Sequence, residues 1–162
     1  PVASLSIVSP MGMRMHPFLH VLMTHTGDDL QAACGEPARA AASGIVTYAD
    51  ISDSWGGRVI IEHDNLEGGA RLRTAYAHHS VIYAQEGDRV TQGQLIGLVG
   101  TTGWSTGCHL HFEVIDSKGY VNPAPFLVDM VAPTHTDGAA HPGGRCDHRR
   151  RVRSGPRLRW GS

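Results

Sequence analysis

The 162-residue sequence is short of several things: it has ten aromatic residues, three cysteines and one lysine, Lys118. It also lacks any apolar run near the roughly 18 residues that span a bilayer, so no transmembrane segment is expected. Pro1-Val2-Ala3 is not the charged-then-apolar opening of a signal peptide. Without an initiator methionine the chain reads as a processed or cloned fragment, which leaves a targeting segment upstream of it open. No His-Glu-x-x-His occurs, which excludes a protease that binds metal on a helix. Few aromatics mean a small core, which a bound metal or a disulfide would reinforce.

The net charge of −1 hides an asymmetry, because residues 1–130 hold 7 Lys+Arg against 13 Asp+Glu, whereas residues 131–162 hold 7 Arg against 2 acids. An acidic body argues against nucleic acid as a specific partner. The end is rich in Gly, Pro, His and Arg without apolar periodicity, so residues 131–162 read as a disordered tail and residues 1–130 as one domain. The tail is expected to be a solvated extension, with weak binding of anionic polymers as the alternative.

Within the body, Pro10, Pro17 and Pro37 with Gly12, Gly27 and Gly35 make residues 1–43 look irregular. Three β-branched or aromatic runs follow, Gly44 to Ala49, Arg58 to His63 and Arg71 to Ala77, separated by turn-forming clusters. Residues 86–100 then set glycines around two short apolar stretches, and His109 to Ile115 forms another strand. Only Pro123 to Met130 suggests a helical turn. The fold class is therefore mainly β and antiparallel, with long loops.

What the sequence does have is eleven histidines. His109-Leu110-His111 lies in a predicted strand, where residues two apart share a face, so both imidazoles enter one volume. His25-Thr26-Gly27-Asp28-Asp29 adds a histidine and a carboxylate joined by a turn, with Asp28 and Asp29 equally placed. Together they offer the nitrogen and oxygen donors of hydrolytic zinc sites, which keep a fourth position open. In Tyr76-Ala77-His78-His79, strict alternation would put His78 beside Tyr76 and turn His79 the other way, onto the surface. Glu113 shares the face of His109 and His111 and reads as a surface or edge carboxylate before a partner of the site. His16, His20, His63, His135, His141 and His148 have no neighbour at ligand spacing and read as surface or structural residues.

In order and spacing, Met13-Arg14-Met15-His16-Pro17, His25-x-Gly27-x-Asp29-Leu30, Tyr76-Ala77-His78, Gly87-Asp88-x-Val90-x-x-Gly93-Gln94-x-Ile96-Gly97-x-Val99-Gly100 and Thr102-Gly103-x-Ser105-Thr106-Gly107-Cys108-His109-Leu110-His111-Phe112-Glu113 resemble the lysostaphin/LytM-type zinc endopeptidases, peptidase family M23. The resemblance covers roughly residues 8–128. It implies a small antiparallel sheet or sandwich, similar to a duplicated hybrid motif, with the site in a groove across the sheet. It implies one zinc ion (Zn2+) per chain held by His25, Asp29 and His111, choosing Asp29 over Asp28, and His78 and His109 as catalytic residues. The implied substrate is the peptide part of bacterial peptidoglycan, the implied location extracytoplasmic, and a monomer is expected.

Two departures from the family pattern concern the groove rim. His20 stands where a glycine usually follows the His-Pro block, and Gly57-Arg58 replaces the common Gly-Asn. Arg14 matches a recurrent arginine and is assigned to structure or the groove wall. Cys34 and Cys108 flank proposed site residues, and relatives with cysteine before His-Leu-His imply a disulfide between them. Zinc ligation and two free thiols are the alternatives, and Cys146 is left over.

Other functions fit less well. A noncatalytic regulator of another wall hydrolase would have the same fold but lack ligands, and this chain retains the full set. A biotin- or lipoate-carrying module is suggested by the Gly-Asp-x-Val-x-x-Gly-Gln run, but it would need a lysine at that turn, and Lys118 is not in it.

Overall fold

A computed structural model describes residues 1–64 and 71–128. The expectations for the tail, including Cys146, fall outside the described residues. The elements are β1 (Ile7–Ser9), β2 (Gly12–Met15), β3 (Leu22–His25), β4 (Asp28–Gln31), β5 (Pro37–Arg39), β6 (Gly44–Ser52), β7 (Gly56–His63), β8 (Arg73–His79), β9 (Val81–Ile82), β10 (Arg89–Val90), β11 (Leu95–Leu98), β12 (His109–Asp116), β13 (Gly119–Val121) and α1 (Ala124–Val128). All the strand pairings are antiparallel.

Period-two alternation explains the layers. On β12, Leu110, Phe112 and Val114 enter the core, while His109, His111 and Glu113 take the opposite face. Val59 and Ile61 of β7 and Tyr76 of β8 join the same core. The principal sheet runs β1-β4-β12-β8-β7-β6-β10, with β13 paired to β12. A second sheet, β5-β11-β9, supplies Ala38, Ile96 and part-buried Ile82 to the core cluster. The core thus lies on one face of the large sheet, leaving the histidine face for chemistry.

Residues 1–43 are not irregular: they contain β1 to β5. These strands are only three or four residues long, and β4 and β5 pair with the distant β12 and β11, so local periodicity cannot reveal them. The prolines sit where a strand tolerates them, Pro37 opening β5 and Pro10 lying between β1 and β2. The two apolar stretches of residues 86–100 become β10 and β11, which belong to different sheets.

Cys34 and Cys108 form a disulfide across a sequence separation of 74. It closes the ends of β4 and β12 just beyond the Gln31–His109 pair. In the chain-entropy picture a loop of this size contributes about 4 kcal/mol by constraining the unfolded chain. Urea denaturation with and without reductant should therefore differ by roughly that amount, and coincident curves would assign the bond no stabilising role.

Candidate metal centre

The site is assembled on β12 and its two neighbours. His111 pairs with Asp29 of β4 on one side and with Ala77 of β8 on the other. Directly opposed residues project from the same face, so Asp29 and His111 meet, and the small Ala77 leaves room above the sheet. His25 ends β3 and returns to the same place through the turn at Thr26 and Gly27. A Cβ on Gly27 would collide with the Phe112 carbonyl and the Glu113 side chain. Only glycine lets this turn lie against β12.

His25 Nε2 lies 3.0 Å from both Asp29 Oδ1 and His111 Nδ1, and His111 Nδ1 lies 2.9 Å from Asp29 Oδ1. Among the described residues these three form a buried set whose ligand atoms all lie within 4.8 Å of one another. The other ring nitrogens are engaged elsewhere. His25 Nδ1–H donates to the Pro10 carbonyl at 3.1 Å, and His111 Nε2–H donates to Glu113 Oε1 at 3.2 Å. These bonds select tautomers that turn unprotonated nitrogens toward Asp29.

Three acceptor atoms converging without a proton between them fit a cation. Tetrahedral ligation with bonds near 2.0–2.1 Å would space donors about 3.3 Å apart, close to the separations found. Burial opposes ionisation of Asp29, but the adjacent imidazoles of His109, His111 and His25 outweigh it and hold the carboxyl well below the ordinary range. Burial also opposes the His111 imidazolium, yet Asp29 and Glu113 raise its pKa.

Two more histidines border the set. His109 Nε2 is 3.4 Å from Asp29 Oδ1, and its Nδ1–H donates to the Gly107 carbonyl at 2.8 Å. His78 stands with its ring 4.9 Å from that of His109, its Nδ1–H donating to the Thr102 carbonyl at 2.8 Å. Burial and then the charge of His109 push its pKa down to about 4, so it stays neutral and able to accept a proton.

His78 reaches this face through a bulge, which strict alternation cannot anticipate. Gly57 pairs with His79 and Val59 with Tyr76, so Ala77 and His78 together oppose Arg58. His78 takes φ 66°, a strained conformation for a non-glycine residue, braced by its N–H on the Trp55 carbonyl. The extra residue separates His78 from the core face of Tyr76. It also sends His79 inward: His79 is 2% exposed, against the expectation of a surface residue, and its Nδ1–H donates to the Leu98 carbonyl.

Glu113 likewise departs from expectation. It is fully buried, accepting from Thr26 Oγ1 at 2.5 Å and pairing with Arg58. Burial alone would raise its pKa, but His111, Arg58 and Thr26 lower it. Arg58 therefore lies beneath the site and not at the groove rim. Its alternation against the core residues Val59 and Ile61 of β7 and the parity of Glu113 with His111 were the available signals, but sequence could not pair them.

Arg14, His16, Trp55 and Trp104 line a groove of about 270 Å³ that also borders His25, His78 and His111. Arg14 Nη1 lies 3.4 Å from Asp29 Oδ2, in keeping with a groove-wall position. His16 meets Trp104 edge to face at 5.1 Å. His20, exposed in the β2–β3 turn, takes φ 52°, a conformation glycine adopts without strain, which accounts for glycine at this point in the family pattern. His63, in contrast, is structural, buried with Nε2 2.7 Å from Thr74 Oγ1.

An antiparallel sandwich carrying a His/Asp donor set and two adjacent histidines on its open face is the architecture of the lysostaphin/LytM-type peptidases. Against the catalytic domain of the antimicrobial peptidase lysostaphin from Staphylococcus simulans the chain superposes with a TM-score of 0.66 at 29% identity, over 76% of this chain and 92% of that one. The chain belongs to peptidase family M23, whose pattern matches residues 23–123. It is 41% identical over 140 residues to the DD-carboxypeptidase/endopeptidase Mpg of Neisseria meningitidis, 86% of this chain and 31% of that protein. It is 36% identical over 119 residues to the peptidoglycan DD-endopeptidase ShyA of Vibrio cholerae, 74% of this chain and 26% of that protein. The chain thus spans about a third or less of these curated relatives.

The close approach of the Gly27 turn generates a prediction. Gly27→Ala should destabilise the protein by about 1–3 kcal/mol, as overpacking against a backbone does. Unchanged urea denaturation would contradict the contact.

Proposed function

We propose that the protein is a zinc-dependent endopeptidase that hydrolyses peptide bonds in bacterial peptidoglycan, with one zinc ion held by His25, Asp29 and His111. The observation that carries this is the meeting of His25 Nε2, Asp29 Oδ1 and His111 Nδ1 at 2.9–3.0 Å, with each imidazole's other nitrogen donating away from the cluster. Two nitrogens and one carboxylate oxygen, with a fourth position open, suit catalytic zinc. The peptidoglycan substrate rests on the relatives, and the extracytoplasmic location on that substrate together with the disulfide.

When bound, zinc supplies Lewis-acid polarisation of an amide carbonyl and a water acidified from pKa 15.7 to about 7. The remaining work falls to this chain's side chains. His78 and His109 each donate Nδ1–H to a backbone carbonyl, which makes Nε2 the nitrogen that can take a proton from the attacking water. The imidazole so charged can return that proton to the departing amine or hydrogen-bond the tetrahedral oxygen. Such acid–base assistance contributes typically about 100- to 10,000-fold. Trp55 and Trp104 wall the groove and limit water around a bound peptide.

Elemental analysis of the purified protein, together with clearing of purified peptidoglycan with and without chelator, tests the proposal. About one zinc per chain is expected, with clearing stopped by the chelator and restored by zinc. A protein that holds zinc but leaves the wall intact would favour the regulatory reading, and one that takes up none would overturn the metal centre. His111→Ala should lose the metal and the activity. His109→Ala should keep most of the zinc and lose about 100-fold or more in turnover; equal metal loss in both variants would refute the division between ligand and catalyst.

Imidazole ligands bind metal only when neutral, so protons compete with zinc as pH falls. His78 remains neutral to about 4, so its own protonation does not produce an earlier acid limb. Zinc content and turnover should both decline below about pH 6. Full activity at pH 4.5 would count against this centre.

A further inference from the structure

Arg58 is 9% exposed, and its Nη2 pairs with Glu113 Oε2 on a carboxylate with no solvent exposure. Its guanidinium carbon lies 4.2 Å from the centre of the Trp55 ring, while its Nε has no hydrogen-bond partner. A buried ion pair of this kind contributes little more to stability than an apolar pair of equal volume, and often less. Stability alone therefore does not account for it.

The geometry around Glu113 does. Its two oxygens are divided between different tasks: Oε2 faces Arg58, whereas Oε1 accepts from His111 Nε2 at 3.2 Å and from Thr26 Oγ1 at 2.5 Å. Thr26 follows His25 in the turn that delivers that histidine. Trp55 touches both ends of the chain of contacts, lying over Arg58 and 5.1 Å from the His111 ring. Arg58 sits opposite the Ala77-His78 bulge, the same feature that brings His78 to the site.

We infer that Arg58 is a positioning residue for the metal centre: by occupying one oxygen of Glu113 it aims the other at His111 Nε2–H, which holds the His111 ring with Nδ1 toward His25 and Asp29. Without it the carboxylate is free to turn, and the ring loses the partner that selects its tautomer. The inference rests on the reading of His111 as a zinc ligand through Nδ1. It adds a role for a residue outside the donor set, on β7, two strands from β12 in the sheet.

Zinc affinity, measured by competition with a chromophoric chelator on the purified full chain, tests it alongside thermal unfolding in EDTA. Loss of an outer partner of a ligating histidine weakens metal binding by about 10- to 100-fold. Arg58→Met is expected to show that loss, and Arg58→Lys, which keeps a cation able to reach Oε2, to recover most of it. Because Arg58→Met could fail to fold, the wild type supplies an independent measurement. Long-range 1H–15N spectra of the zinc-loaded protein should show His111 protonated at Nε2 and ligating through Nδ1. Wild-type affinity in folded Arg58→Met, with only its EDTA unfolding midpoint lowered, would reduce Arg58 to a structural role and overturn the inference, as would ligation through Nε2. A wild type that takes up no zinc would instead remove the underlying metal reading and this inference with it.

Discussion

The site depends on one backbone register, the pairing that sets His111 of β12 directly against Asp29 of β4 and Ala77 of β8. A slip of one residue would send His109, His111 and Glu113 into the core and bring Leu110, Phe112 and Val114 to the open face. The hydrophobic alternation of β12 therefore protects the histidine and carboxylate cluster, because burying the wrong face would cost both apolar contacts and unpaired charges. The disulfide at the ends of β4 and β12 closes the same pair of strands. Core packing and site geometry are two consequences of one pairing.

On that frame the site accumulates features that an ordinary sheet avoids. A non-glycine residue at positive φ, a bulge, buried acids and converging imidazoles all occur within three consecutive strand pairings, β4–β12, β12–β8 and β8–β7. Each is compensated locally. The His78 backbone is held by Trp55, its ring by Thr102, and the buried Glu113 by Arg58, Thr26 and His111. Strain and buried charge at a functional site are tolerated where the surroundings over-determine them. At the centre of that frame the donor atoms of His25, Asp29 and His111 converge within 4.8 Å of one another.

Kinship with family M23 places this arrangement among peptidases, but the relatives are three or more times longer than the matched segment. What the segment holds is the donor set, both neighbouring histidines and an aromatic-walled groove. One wall of that groove forms where the β2–β3 turn and the loop carrying Trp104 meet through His16.

Sequence by itself determined the β character, the core face of β12 and the residues that meet at the centre, because strand periodicity and the spacing of His109-Leu110-His111 are local properties. The family resemblance added Asp29 over Asp28 and the pairing of Cys34 with Cys108. Tertiary structure alone decided the rest. Among the early strands, β4 and β5 exist through the distant partners β12 and β11, and β1 to β5 are each too short for a local pattern to reveal. His78 and His79 exchanged faces because a bulge inserts one residue against Arg58, and a bulge arises from register between strands. Glu113 reads from the sequence as a surface or edge carboxylate and Arg58 as part of the groove rim; both are buried because the Thr26-Gly27 turn and Trp55 cover that face. Burial of a charge is decided by what folds over it, and that is a property of the whole chain.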